Sequence, residues 1–172
     1  MSEALQNTLG ALALALCDDV YEAFRDEDLV PSEAEAVGHI GHAPGMTIRD
    51  LSKAIALSHA ATVRLVGRLE EKGVVTRAPC ATDGRNVLLR LSRAGRRLHK
   101  TFLQRRRLRL RKALSVLSSD ERGQFASLSN RILSEFVRSE DHAFRVCRLC
   151  DRPACSQCPV ETEMIRRTSE VR

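Results

Sequence analysis

The stretch from Thr47 to Leu91 constrains this chain more than any other, because it fixes an order of elements. Thr47 with Asp50 three residues on has capping-box spacing, and Ile48, Leu51 and Ile55 give the helix it opens an apolar face. Leu57-Ser58 makes a turn and a second cap. The next helix, His59 to Lys72, stops at Gly73, the residue type suited to a left-handed helix end. Val74 to Arg77 and Val87 to Leu91 are short β-branched or apolar runs on either side of Asp83-Gly84, a hairpin turn step. Helix, turn, helix, strand, hairpin tip, strand is the order of a winged helix-turn-helix.

The flanks read as helices. Leu5, Leu9, Leu12, Leu16, Val20 and Phe24 recur at helical spacing over Ala4 to about Arg25, closed by Asp26-Glu27-Asp28. Ser32, with Glu35 three residues on, is expected to cap the next helix, which ends before a turn at Ala43-Pro44-Gly45. Ser92 is expected to cap a long helix to about Leu117. Its alternating piece Arg107 to Arg111 reads as helix because both neighbours are helical. A further helix is expected from Ser119 to about His142, with Phe125, Leu128, Ile132, Leu133 and Phe136 as its apolar set. The expected fold class is mainly α, with a small β-hairpin wing.

On the helix after Ser58, a rotation of about 100° per residue puts Thr62, Leu65, Val66 and Leu69 on one arc, which must pack inward. Ala60, Val63, Arg64, Gly67, Arg68 and Glu71 then face out. No large side chain stands at the middle of that face, so the helix can enter a major groove ~12 Å wide. Arg64 suits guanine or phosphate, Val63 suits a thymine methyl, and Ser58 and His59 stand at the helix start, where N–H groups meet phosphate. At the hairpin tip Arg85, beside Gly84, can reach a minor groove. Asp83 is better placed to order the loop. Thr47 and Arg77 complete the candidate DNA-contacting set.

Charge agrees with a polyanionic partner. The 172 residues carry 28 basic and 22 acidic side chains, yet residues 1–50 hold 10 acids against 2 bases, so the remainder carries +14. Between Ser92 and Ser119 there are ten bases and no acid. Arg105-Arg106-Arg107 in that run suits long-range attraction to DNA and pairing with the acidic N-terminal segment across a dimer. With aromatics at 3% and no Trp, a stacking platform for single strands is excluded. The apolar run Leu9 to Leu16 is far shorter than a ~20-residue span, and no Lys or Arg precedes it, so a cytoplasmic protein without a membrane segment is expected.

As a set, Leu51-Ser52-Lys53-Ala54, Leu57-Ser58, Arg64 through Arg77, Asp83-Gly84-Arg85 and Leu91 through Gly95 resemble the signature of the MarR family of winged-helix regulators. The resemblance implies a homodimer whose recognition helices enter successive major grooves of a near-palindromic operator in double-stranded DNA, with the wing Arg in flanking minor grooves. It also implies a small-molecule effector site between the dimer helices and the winged unit, near which His39 and His42 fall. The chain departs from the family at Cys80-Ala81-Thr82, where an acidic residue, Pro and a basic residue often stand. The organisation expected is dimerisation and support helices over 1–45, the winged unit over 46–92, long dimerisation helices over 93–142, and a cysteine-rich tail over 143–172.

That tail holds Cys147, Cys150, Cys155 and Cys158 in the spacing C-x₂-C-x₄-C-x₂-C. Two close pairs let four thiolates converge on one tetrahedral metal, with Arg145, Arg148 and Arg152 offsetting their charge. Zinc is the first expectation, since a closed Cys₄ site can staple a tail with little core of its own. An iron–sulfur cluster is the alternative, favoured by Pro159 after the last Cys though not by the spacing, and unpaired thiols or a reversible disulfide pair are a third reading. Cys17 and Cys80 lie outside the motif. The function expected is a transcriptional regulator, a repressor, answering to a small molecule or to the cysteine cluster. A redox or metal-handling enzyme is the alternative of another class, and it lacks both a second catalytic constellation and a thioredoxin-like scaffold. A winged helix kept only for protein contacts is a further alternative, opposed by the +14 on residues 51–172.

Overall fold

A computed structural model describes residues 2–79, 87–155 and 157–170. Helix α1 (Glu3–Tyr21) runs into a 3₁₀ segment (Glu22–Glu27), and the chain turns where Asp28 adopts φ 49°. Helix α2 (Pro31–His42) begins one residue earlier than the Ser32 cap predicts. Pro31 takes the first helical position, where its missing N–H costs nothing, and the Glu33 carboxylate accepts from the Val30 N–H. Glu35 is thereby freed to accept from Arg148.

The winged unit follows the expected order, with one strand more. Strand β1 (Met46–Thr47) leads into α3 (Ile48–Ala54), α4 (His59–Glu71), β2 (Val75–Pro79) and β3 (Val87–Leu91). The sheet is antiparallel in the order β1-β3-β2, with Met46 opposite Leu89 and Val75 opposite Leu91. Thr47 and Ser58 cap their helices as the sequence predicts, and Gly73 ends α4 at φ 67°. Val37 and Ile40 from α2, Leu51 from α3, and Leu65, Val66 and Leu69 from α4 meet Leu89 of the sheet in one buried cluster. Truncating any of these leucines to Ala should cost about 2–5 kcal/mol.

Helix α5 (Arg93–Ala113) is anchored to the base of the wing. Ser92 Oγ accepts from Gly95 N at 3.0 Å and donates to the Gly73 carbonyl at 2.6 Å, and Arg96 donates to the Leu91 carbonyl at 2.8 Å. Gly95 is required here, since a Cβ would sit 2.1 Å from the Val74 carbonyl oxygen. The alternating arginine run lies in this helix, as predicted. Arg105 pairs with Glu27 at 2.9 Å and Arg109 with Asp19 at 2.7 Å, so the acidic front and basic helix meet within one chain. Phe24 stacks on Phe102 with ring centroids 3.8 Å apart, closing a second cluster.

The predicted last helix divides in two. Helix α6 (Ser119–Glu135) ends at Phe136, Val137 is fully buried, and Ser139 caps α7 (Glu140–Val146) by accepting from His142 N at 3.2 Å. Burial of Val137 against Cys147 and Val160 draws the chain off the helix axis, a tertiary cause that no Gly or Pro announces. Helix α8 (Pro159–Glu170) then returns against α6. Among the described residues no helix is long and apolar enough to cross a membrane.

Candidate nucleic-acid interface

Helix α4 divides as its sequence demands. Thr62, Leu65, Val66 and Leu69 are buried; Ala60, Arg64, Arg68 and Glu71 are exposed, with Val63 and Gly67 half-buried. A Cβ on Gly67 would meet nothing within 4 Å, so packing does not demand glycine there. What its absence of a side chain does is keep the outer face slim. Ser58 Oγ accepts from Ala61 N at 3.2 Å, and Ser58, His59 and Ala60 stand exposed at the helix start. Thr47 is committed to its cap, accepting from Asp50 N at 3.1 Å and donating through Oγ to Asp50 at 2.7 Å.

The cations of this helix have separate duties. Arg68 Nε reaches Glu33 at 2.8 Å, and Lys72 Nζ reaches the same carboxylate at 3.0 Å, although Glu33 is almost wholly buried. Burial alone would raise the Glu33 pKa, but the hydrogen bonds from Arg68 and Lys72 outweigh it and hold the carboxyl below its usual range. Lys72 also donates to the Asp28 carbonyl. Arg77 at the wing base pairs with Glu70 at 2.9 Å. Arg64 has no ion pair among the described residues and points outward. Asp83, Arg85 and Cys80 lie outside the described residues. Glu33 was invisible to sequence reasoning, because its partners lie 35 and 39 positions away and a lone helix Glu ordinarily reads as solvated.

Imidazoles fill the opposite side of α2. His39 is buried with its ring edge-on to Phe144, centroids 6.3 Å apart, and His42 meets His99 at 5.2 Å. Burial first, then the charges of Arg152, His42 and Arg148, lowers the His39 pKa to about 4; burial and His42 lower His99 to about 4. The Nε2 atoms of all three have no hydrogen-bond partner among the described residues.

The cysteine tail is fastened to this scaffold. Leu149 is buried beside Phe24 and Phe102, Arg148 Nε donates to Glu35 at 3.0 Å, and Arg107 pairs with Asp151 at 2.7 Å. Cys147, Cys150, Cys155 and Cys158 line one cavity of about 710 Å³, walled also by Phe144 and Val160. None of these four is in a disulfide. Cys147 and Cys150 share a hydrogen bond that, against burial, pulls the Cys150 thiol down, helped by Arg106, Arg152 and Arg148. The same bond and burial push Cys147 up. Among the described residues no group of three or more His, Cys, Asp or Glu side chains is placed so that it could hold a metal ion.

A slim helix seated on a helical support, followed by a hairpin and framed by long helices, is the architecture of a winged helix-turn-helix. Residues 27–86 match the MarR family's sequence profile. Solved structures agree. A MarR family protein from Bacillus stearothermophilus matches with TM-score 0.72 at 23% identity, covering 80% of this chain and 99% of that one. MepR, a transcription regulator of the Staphylococcus aureus multidrug efflux pump MepA, matches with TM-score 0.67 at 18% identity, covering 78% and 98%. The PcaV transcriptional regulator from Streptomyces coelicolor matches with TM-score 0.54 at 25% identity, covering 72% and 93%. A MepR variant has also been solved bound to an oligodeoxyribonucleotide. No curated protein sequence matches the chain. The profile match ends well before the cysteine motif.

Proposed function

We propose that this chain is a cytoplasmic transcriptional repressor that binds a near-palindromic site in double-stranded DNA as a homodimer. The observation that carries the reading is the division of labour on α4. Glu33 holds Arg68 and Lys72 and so fixes the helix against α2, while Arg64 has no ion pair among the described residues, on a face kept narrow by Ala60 and Gly67. Such a face suits a major groove, with Arg64 reaching a base edge or a phosphate. The exposed start of α4 offers N–H groups to the phosphate backbone.

Dimerisation has its own support. Leu5, Leu9 and Leu12 of α1 are 59%, 48% and 40% exposed, and Phe125, Leu128 and Ile132 of α6 are 39%, 53% and 45% exposed. Periodic apolar stripes on two helices that hold no fully buried residue suit a second copy. Repression follows where the dimer occupies a promoter, and an effector or the cysteine tail would change the separation of the two α4 helices relative to half-sites ~34 Å apart.

The test is selection from a random duplex pool at low salt, followed by titration of the enriched sequence at several salt concentrations. The expected result is an inverted repeat bound by two chains, with affinity falling steeply as salt rises. A monomer indifferent to every duplex overturns the proposal.

A further inference from the structure

We propose that Cys147, Cys150, Cys155 and Cys158 bind one zinc ion, and that the resulting clip couples the winged unit to the helices of the dimer. The coupling rests on the DNA-binding reading above; the metal site does not.

Four observations converge on the site. The two C-x₂-C pairs line a single cavity, which lies between α7 and α8. Cys147 is buried with Val137 and Val160, and Cys150 and Cys158 pack against the same cluster, so three thiols already share one small core. A zinc tetrathiolate carries a charge of −2, and the Arg152 side chain lines the cavity beside the cysteines. The Arg106 Nε is buried without a hydrogen-bond partner among the described residues, so a positive group is held near the thiols with its donor unspent. Cys155 is exposed, at the end of a short 3₁₀ turn (Arg152–Ala154), and no three of the cysteines yet stand in metal-binding position, so the thiols must close inward to complete the tetrahedron.

The position of the clip gives it consequences. Helix α7 lies against α3, the supporting helix of the reading unit, and α8 lies against α6, whose exposed apolar stripe suits a second chain. Leu149 and Arg148, between the first two cysteines, are seated on α2 and α5. One ion holding α7 to α8 therefore ties α3 to α6. Removing it frees the two halves to move relative to each other, and the separation of the paired α4 helices is no longer fixed.

The full chain, purified in reducing buffer, should retain about one zinc per chain by atomic emission, and cobalt exchanged into it should show the charge-transfer bands of four thiolates. Cys155→Ser, at an exposed position that leaves the core intact, should weaken zinc binding about 100-fold. Chelation should speed amide exchange in α7 and α3. It should also lower affinity for the duplex sequence enriched from a random pool about tenfold, with recovery when zinc is returned. Protein without zinc and without a thiolate–cobalt spectrum overturns the site, as does brown protein carrying acid-labile sulfide. Stoichiometric zinc whose removal changes neither exchange nor duplex affinity overturns the coupling. Failure of both metal forms to bind any duplex removes the DNA reading and the coupling together, and the cobalt spectrum still decides the site.

Discussion

Arg68, on the outward side of α4, donates its Nε at 2.8 Å to Glu33, a carboxylate with 2% of its side chain exposed. The pair joins α4 to α2. Arg68 thus serves the fold, and under the proposed DNA-binding reading its half-exposed guanidinium can still face a phosphate.

Glu33→Ala is therefore expected to lower stability by about 2 kcal/mol, read from urea unfolding. The figure is below that for a fully buried pair, because Arg68 is half exposed and recovers hydration once released. Since the Glu33 pKa is depressed in the fold, its contribution is complete above the ordinary carboxylate range and is lost as pH falls through the folded value. Equal stability of wild type and variant at neutral pH removes the clamp.

Arg64→Ala should leave unfolding unchanged and cost ~1–3 kcal/mol of affinity at the enriched duplex. On random duplex the loss should be smaller, since a base contact discriminates and a phosphate contact does not. Equal losses on both would make Arg64 a phosphate contact.

Local chemistry made the winged unit legible. The caps at Thr47, Ser58 and Ser92, the stop at Gly73 and the inward arc of α4 each depend on residues within a few positions of one another. What escaped depends on distant partners. Strand β1 is two residues long, too short for periodicity, and exists because Met46 and Thr47 meet Leu89 and Leu88. The break after α6 follows burial of Val137. The motif of four cysteines was plain in the sequence, but its attachment to α2 and α5 through Leu149, Arg148 and Asp151 was not.

Leu128→Asp tests the dimer. Leu128 is 53% exposed in the single chain, so a carboxylate there costs the monomer little, whereas it would be desolvated between two copies. Sedimentation should show monomers, with helix content unchanged by circular dichroism. A variant that remains dimeric places the interface elsewhere.

His39 and His99 predict acid sensitivity. Both pKa values lie near 4 in the fold, against about 6.5 when unfolded. Between those values the unfolded chain binds more protons, so stability is complete above pH 6.5 and declines as pH falls toward 4. The slope per histidine is at most about 1.4 kcal/mol per pH unit. His39→Phe should flatten that slope in urea unfolding at stepped pH. An unchanged slope would assign the acid sensitivity to other groups.

Gly38 is where α2 meets the tail. A Cβ at this position would lie 2.3 Å from the Arg148 carbonyl oxygen, a backbone atom that cannot rotate away. Gly38→Ala must therefore push the segment carrying Arg148 and Leu149 off α2, breaking the Arg148–Glu35 pair at 3.0 Å and exposing Leu149 beside Phe102. The helical gain of about 1 kcal/mol from Gly to Ala opposes a strain cost of about 1–3 kcal/mol, and the loss of a buried Leu contact adds to the latter. The net expectation is a less stable tail on an intact winged unit. Limited proteolysis should cut the variant after residue 140 well before wild type, and the fragment left behind should keep its helical signal. Wild-type resistance to cleavage in Gly38→Ala would show that the tail is not seated against α2.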